Sequence, residues 1–367
     1  MLLESITAFI TRSTDIARVR RLRGTHPGFD RSMWQQMAEL GWLGILVPEQ
    51  HGGSGLGFSE MRMVVEGLAS VLAPEPVCAC AVLTAGVLRH SGDSEVASEL
   101  LQKLAAGEMI PATAWQEHAG NIDTEGVATA ARAFEGGYKL SGIKQFVHGA
   151  AGADGYVVSA RAPGGLLLAW IPARANGITS ESTALADGRT MATVKLADVI
   201  VPQEHVLAED GKAREALERA LDETLVMCGA ELNGVMRCAL DMSVDYMKSR
   251  VQFGKPIGSF QALAHRAVDL YLQRELSAAV VDDAVAMLDA QSEPRDRAAM
   301  ASRVKSRCSE AALRVTRESI QIHGAIGFTE EHDIGLYLKR AMVLASWLGN
   351  AALHRRRYAQ LVPSDLS

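Results

Sequence analysis

The stretch Arg250-Val251-Gln252-Phe253-Gly254-Lys255-Pro256-Ile257, followed by Phe260-Gln261, separates two long helical patterns. Upstream, Leu217, Leu221, Leu225, Cys228, Leu232, Val235, Ala239, Met242 and Tyr246 recur at three- and four-residue steps. That is the period of one apolar helix face, over about nine or ten turns. Gly254 and Pro256 then stop it. Downstream, a second helix is expected over about 259–290. A third is expected from near Ser292, with Pro294 in its first turn, to Gly324. It runs into a second glycine-rich break, Gln321-Ile322-His323-Gly324-Ala325-Ile326-Gly327-Phe328. One or two more helices fill 329–362. Long helices with short connections make a bundle.

Outward from that bundle the texture changes twice. Residues 1 to about 110 keep helical spacing: Met33, Met37, Leu40 and Leu43 precede Pro48 and Gly52-Gly53, and 60–90 and 93–107 read as further helices. From about 111 to 207 the period is two. Tyr138-Lys139-Leu140-Ser141 leads to Gly142. Tyr156-Val157-Val158-Ser159, Leu166-Leu167-Leu168-Ala169-Trp170-Ile171 and Thr193-Val194-Lys195-Leu196 follow between turn residues. Short strands at this spacing predict an antiparallel barrel or sandwich. Three regions result: 1–110, 111–207 and 208–367.

Bulk composition narrows the function classes. At 367 residues the chain exceeds one small core. It is 48% apolar and 22% charged, with net charge −6 and no basic run suited to nucleic acid. No apolar stretch suits a membrane span, and the first ten residues lack the basic leader of a secretion signal. The five cysteines form no CxxC. Cys78 and Cys80 are a C-x-C pair with no second pair, so buried thiols in a reducing cytoplasm are expected.

The two glycine-rich breaks resemble the signatures of the acyl-CoA dehydrogenase family, flavin enzymes that desaturate acyl-CoA thioesters. The resemblance covers nearly the whole chain. It implies an α+β fold with a helical N-terminal domain, a middle antiparallel β-barrel and a C-terminal four-helix bundle. In that family the first break reaches across a subunit interface to a partner's FAD, with the arginine on the pyrophosphate and the phenylalanine near the adenine end. FAD contacts are thereby implied for Arg250, Gln252, Phe253, Gln261, Gln321 and Gly324. Without the resemblance, a cation at a helix C-terminus, a Gly-Pro stop and a glycine cap explain the same residues. Ala325 stands where the family has a second glycine.

The β region follows the family less closely. Trp115-Gln116-Glu117-His118-Ala119-Gly120-Asn121-Ile122 replaces Thr-Glu-Pro-x-x-Gly-Ser-Asp, keeping Ala119-Gly120 and a polar Asn121. Phe146-Val147-His148 replaces the Trp-Ile-Thr beside the flavin ring. Phe146 can cover an isoalloxazine face. His148 would take the place of a hydroxyl offered to the reactive flavin nitrogen, although a lone histidine is more often a surface or satisfied core residue.

Removing a proton alpha to a thioester needs a carboxylate. Counted from Gln321, the family's Tyr-Glu-Gly-Thr falls on Trp347-Leu348-Gly349-Asn350, and leucine accepts no proton. Some relatives carry the glutamate on the long helix, at the position of Thr224, followed by an arginine where Leu225 stands. Glu223 is the adjacent candidate base, turned about 100° away. Glu231 lies two turns further on.

The best-kept motifs are those that a subunit lends to its neighbour, and the altered ones serve its own active site. This asymmetry implies a flavoprotein subunit of a homo- or hetero-oligomer, dimer or tetramer, acting on acyl-CoA and passing electrons to an electron-transfer flavoprotein. In the heteromeric case a paralogous partner supplies the base. The alternatives are a scaffold of the same fold with little or no flavin, a self-sufficient homo-oligomer with a relocated base, or an oxygen-using oxidase. Arg355-Arg356-Arg357 reads as solvated cations near a helix end. Gly52-Gly53-Ser54-Gly55 lacks the Lys-Ser/Thr of a phosphate loop.

Overall fold

In the computed structural model, which describes residues 2–13, 15–120, 122–124 and 126–362, helix gives way to strand and returns to helix along the chain. The first helices are α1 (Leu2–Ser13), α2 (Ile16–Leu22), α3 (Arg31–Glu39), α4 (Phe58–Ser70), α5 (Ala85–His90) and α6 (Glu95–Ala105). The helical pattern over 60–90 is interrupted. α4 stops at Ser70, and Pro74 and Pro76 follow, each unable to donate a backbone hydrogen bond. Chain 78–84 is then a fully buried π-helical segment leading into α5. Within it Thr84 Oγ1 donates to the Ala79 carbonyl at 3.0 Å, and it shares a 2.9 Å hydrogen bond with Thr113 Oγ1. α6 begins where Ser94 Oγ accepts from the Ala97 amide, a standard N-terminal cap.

The middle region is one sheet of eight strands: β1 (Pro111–Ala114), β2 (Ala130–Phe134), β3 (Gly137–His148), β4 (Gly155–Ala162), β5 (Gly165–Pro172), β6 (Ile178–Ala184), β7 (Thr190–Pro202) and β8 (Val206–Glu209). The order is β6-β7-β3-β2-β4-β5-β8, with β1 beside β4. Most pairings are antiparallel, as the alternating pattern predicts. The sheet is nevertheless mixed, because β1 runs parallel to β4 from Pro111↔Gly155 to Ala114↔Val158, and β2 meets β4 in one parallel bridge. Among the described residues no pairing joins β6 to β8, so the hydrogen-bonded path has β6 and β8 as its two ends. Gly142 does not end its strand. β3 runs on to His148, and a Cβ at 142 would come 2.4 Å from Thr129 Oγ1, so glycine here permits close approach of the chain before β2. Leu140, Val147, Tyr156, Val158, Leu167, Ile171, Val194 and Val199 fill the core of this sheet.

The tail begins with α7 (Asp210–Ser249), 40 residues or about eleven turns. A two-residue ladder, β9 (Val251–Gln252) with β10 (Lys255–Pro256), follows it. Then come α8 (Gln261–Asp289), α9 (Pro294–His323), a 3-10 turn over Gly324–Phe328, α10 (Ile334–Ser346) and α11 (Ala351–Leu361). Pro294 opens α9, where a missing N–H costs nothing, and Gly324 closes it.

By packing, the chain forms two compact units. One comprises Met1–Arg20, Arg62–Ala73 and Leu225–Ser367; the other comprises Arg21–Met61 and Pro74–Thr224. The first is the helical bundle with α1 and most of α4. Its core includes Val235, Met236 and Ala239 on α7, Val281 and Val285 on α8, Val304, Cys308 and Val315 on α9, and Ala341 and Leu344 on α10. The second holds the sheet with α3, α5, α6 and the start of α7. No described helix is long and apolar enough to cross a membrane, and no described group of His, Cys, Asp or Glu is arranged to hold a metal ion.

Candidate active site and cofactor-binding residues

The break after α7 is a tight, solvent-facing turn. Arg250 donates its amide to the Tyr246 carbonyl at 2.9 Å, and its own carbonyl accepts from Ile257 at 2.8 Å. Its side chain is exposed and has no hydrogen bond or ion pair among the described residues. Phe253 has φ +53°, a left-handed conformation that a side chain adopts at a cost, and it is 91% exposed. Phe253 meets the Phe260 ring edge-on at 6.2 Å. The Lys255 ammonium also lies over the Phe260 ring, 4.4 Å from its centre. Gln252 and Gln261 are exposed, and Gln261 is the first residue of α8, where helix amides lack internal partners. The turn therefore offers a guanidinium, two amides, a phenyl ring and a helix start to the outside.

The second break lies in the same unit. Gln321 is exposed, with no side-chain partner among the described residues. Gly324 has φ +65° and ψ −142°, a region that glycine occupies almost alone. A Cβ at 324 would meet nothing within 4 Å, so backbone conformation and not crowding demands the glycine. Two aromatic contacts support these breaks from beneath: His323 stacks on Tyr246 at 4.6 Å and packs against His332 at 4.4 Å.

Phe146 and His148 belong to the other unit. Phe146 sits at a register shift of β3 between Lys144 and Val147, with φ +55°. The irregularity is a bulge that re-aims the strand, and there the Gln145 amide donates to the Gln116 carbonyl at 2.7 Å. His148 has its pKa pushed down to about 3, by burial first and then by the Arg189 guanidinium, against the opposing Asp187 carboxylate. Its imidazole is therefore neutral at ordinary pH. Asn121 lies outside the described residues.

Beneath the 115–129 loop is a buried ion pair that sequence reading did not single out. Lys144 is 0% exposed. Its ammonium donates to Glu117 Oε1 at 2.7 Å, Ser159 Oγ at 3.0 Å and the Trp115 carbonyl at 3.3 Å. Glu117 also accepts from the amides of Ala128 and Thr129 at 2.6 and 2.9 Å, and from Thr129 Oγ1 at 2.6 Å. Burial pushes the Glu117 carboxyl up, but Lys144 and Thr129 overcome that and bring it down to about 2. Burial lowers Lys144 to about 8 in spite of its carboxylate. The readable signal was a lysine on the inward register of an alternating strand, in line with Leu140.

At Leu348, where the resemblance led us to expect a glutamate, the chain makes a firmly held turn. Leu348 is 2% exposed with φ +58°, and Gly349 follows at φ +94°. The Leu348 carbonyl accepts from His354 Nε2 at 2.8 Å, and Asn350 Oδ1 caps α11 by accepting from the Leu353 amide at 3.0 Å. Just upstream, the Leu344 carbonyl near the end of α10 accepts from the buried Lys305 ammonium at 2.6 Å. Backbone geometry is complete, and the only side chain at the position is an aliphatic one.

Glu223 does not present a free carboxylate. Its Oε2 accepts from Arg89 at 2.7 Å and its Oε1 from His90 Nε2 at 2.8 Å, and Arg219 Nε lies 3.4 Å away. Burial pushes its pKa up, but Arg89, His90 and Arg219 together hold it below the usual carboxylate value. Thr224, next along α7, is buried and donates to the Ala220 carbonyl at 2.6 Å. Glu231 pairs with buried Arg340 at 3.1 Å. Arg340 is further anchored on the carbonyls of Leu72 and Ala73. Each of these acids has cationic partners within 3.5 Å.

Comparison with known proteins decides the family. The acyl-CoA dehydrogenase N-terminal domain matches residues 1–108 and the C-terminal domain residues 214–362. The chain is 31% identical over 360 residues to acyl-CoA dehydrogenase IpdE2 of Mycolicibacterium smegmatis, covering 97% of this chain and 96% of that protein. This chain belongs to the acyl-CoA dehydrogenase family. The family is one of FAD-dependent oxidoreductases. Benzylmalonyl-CoA dehydrogenase of Aromatoleum aromaticum is 29% identical over 319 residues, 85% of this chain and 84% of that one. Among solved structures, a variant of the Tcur3481-Tcur3483 steroid ACAD superposes with a TM-score of 0.88 at 26% identity, covering 98% of this chain and 96% of its own.

Proposed function

We propose that this chain is a subunit of an FAD-dependent, α,β-desaturating acyl-CoA dehydrogenase, and that the base which removes the alpha proton comes from a paralogous partner. Two observations carry this reading: Leu348, at the position the resemblance gives to the base, is aliphatic, and Glu223, the adjacent candidate on the long helix, has one carboxylate oxygen on the Arg89 guanidinium and the other on the His90 ring. Such a carboxylate is a poor proton acceptor, since protonation would surrender its partners.

The residues present fit a dinucleotide held from outside the subunit. Arg250 offers forked donors of the kind that grip a diphosphate. Gln252, Gln261 and Gln321 add amide groups, and Phe253 supplies an exposed ring. Gly324 keeps the second break free of a side chain. On the β unit, Phe146 and neutral His148 are the residues for a flavin ring, with Asn121 as a third. When bound, FAD supplies the hydride acceptor. An electron-transfer flavoprotein would be the partner that takes the electrons onward, in a cytoplasmic setting.

Two further facts support an assembly. α8 exposes Val268, Tyr271, Leu272 and Leu276 at helical spacing, an apolar face unusual on a lone subunit. The related Tcur3481-Tcur3483 steroid ACAD carries a name with two components.

The test is co-expression with a paralogous chain that has a glutamate at the base position. A yellow complex that desaturates an acyl-CoA, beside an isolated subunit that does not, is the expected result. Stoichiometric FAD and robust turnover in the isolated chain would overturn the heteromeric reading. A chain that stays colourless alone and with its partner would favour a scaffold.

A further inference from the structure

We infer that His323 is a positioning residue that locks the two glycine-rich breaks into one arrangement, and so sets how their side chains meet a nucleotide diphosphate. This rests on the function proposed above and adds the residue that organises the site.

His323 is the last residue of α9 and is 2% exposed. Its Nδ1 lies 2.7 Å from the Ser319 carbonyl. A carbonyl only accepts, so Nδ1 carries the proton, and the ring's orientation is fixed about that bond. One face stacks on Tyr246, with 28° between planes. Tyr246 leads to the first break, because its carbonyl holds the Arg250 amide. His332 packs against the same imidazole at 54°, and its Nδ1 accepts from the Ile334 amide at 3.1 Å, at the start of α10. The 3-10 turn also leans on this residue, since a Cβ at Gly327 would come within 3.0 Å of His323 Cβ. A parallel tie runs one turn back, where Ser319 Oγ donates to the Ala239 carbonyl of α7 at 3.3 Å.

Four pieces of backbone therefore converge on one buried ring: the end of α7, the end of α9, the turn after it and the start of α10. Arg250 is four residues from Tyr246, and Gln321 is two from His323. Neither side chain is braced by a bond of its own, so their separation is set from below. The ring is 2% exposed and packed on Tyr246 and His332, so it acts through these neighbours.

The test uses the flavin-bearing assembly, with FAD affinity read by flavin fluorescence. His323→Phe keeps a stacking ring and removes the bond to Ser319; His323→Ala removes both. Expected is FAD binding weakened about tenfold in His323→Ala and by less in His323→Phe. Arg250→Ala combined with His323→Ala should bind more weakly than Arg250→Ala alone but by less than the product of the two single effects, because part of what His323 contributes passes through Arg250 and part through Gln321. Multiplying effects in the double variant, or unchanged FAD affinity in both single variants, would overturn the inference. Should His323→Ala not fold, His323→Phe and its pairing with Arg250→Ala carry the same comparison. An unsubstituted assembly that binds no FAD would sink the functional reading, and this inference with it.

Discussion

The ammonium of Lys144 and the carboxylate of Glu117 meet at 2.7 Å, with the lysine wholly inside the β unit. Together they close a loop: Glu117 holds the amides of Ala128 and Thr129, and Lys144 holds the Trp115 carbonyl and Ser159. Lys144→Met should cost about 3–5 kcal/mol, the range for stranding one member of a buried pair. Chemical denaturation of the purified subunit measures it. A cost under about 1 kcal/mol would mean that the pair behaves like a surface one.

The same pair makes two pH predictions of opposite sense. Glu117 titrates near 2 in the fold against 4.5 ordinarily, so its stabilisation is present above about 4.5 and lost as pH falls toward 2. Lys144 titrates near 8 against 10.5, so the unfolded chain binds more protons between those values. Its contribution should make the fold more stable as pH rises from 8 to 10.5. Denaturation midpoints across both windows, for the parent and for Lys144→Met, would show the alkaline rise only in the parent.

Glu223→Gln should alter stability and leave the assembly's turnover nearly unchanged. The substitution removes the charge that Arg89, His90 and Arg219 share, at a cost of about 1–3 kcal/mol. Partial exposure of both arginines keeps the loss below that of a sealed pair. The parent carboxyl is held below 4.5, so this stabilisation fades as pH falls through the acid range. Complete loss of activity with flavin retained would make Glu223 the base after all.

Arg250→Ala separates binding from folding. The side chain is exposed and unpaired among the described residues, so stability of the subunit should move by less than about 0.5 kcal/mol. Flavin retention in the assembly should fall, read as the ratio of flavin to protein absorbance. Full retention would remove Arg250 from the cofactor site.

Leu348→Gly sets two effects against each other. Releasing a leucine from φ +58° recovers about 1–2 kcal/mol. Emptying a site that is 2% exposed costs about 2–5 kcal/mol. Cavity formation should win, and the thermal midpoint should drop, while the assembly keeps its activity because no proton moves through this position. A large fall in turnover at unchanged stability would contradict the assignment of the base to a partner.

Much of this was legible in the residue order. Helical spacing from Leu217 to Tyr246, Pro294 at a helix start, Gly324 at a helix end and the period-two run from Tyr138 all describe local preferences, which neighbours along the chain largely decide. The loss of a carboxylate at Leu348 is likewise a fact of residue identity. Other features depend on residues far apart in sequence. Gly142 reads as a stop but serves close packing against Thr129, and β1 runs parallel to β4 across more than forty residues of chain. Glu223 was marked out by its place on the helix alone, whereas its partners Arg89 and His90 come from over 130 positions earlier. Periodicity fixes which face of a helix or strand is apolar, because that depends only on a residue's own backbone geometry. Whether a buried charge is free or spent depends on distance in space, and only the folded chain sets that.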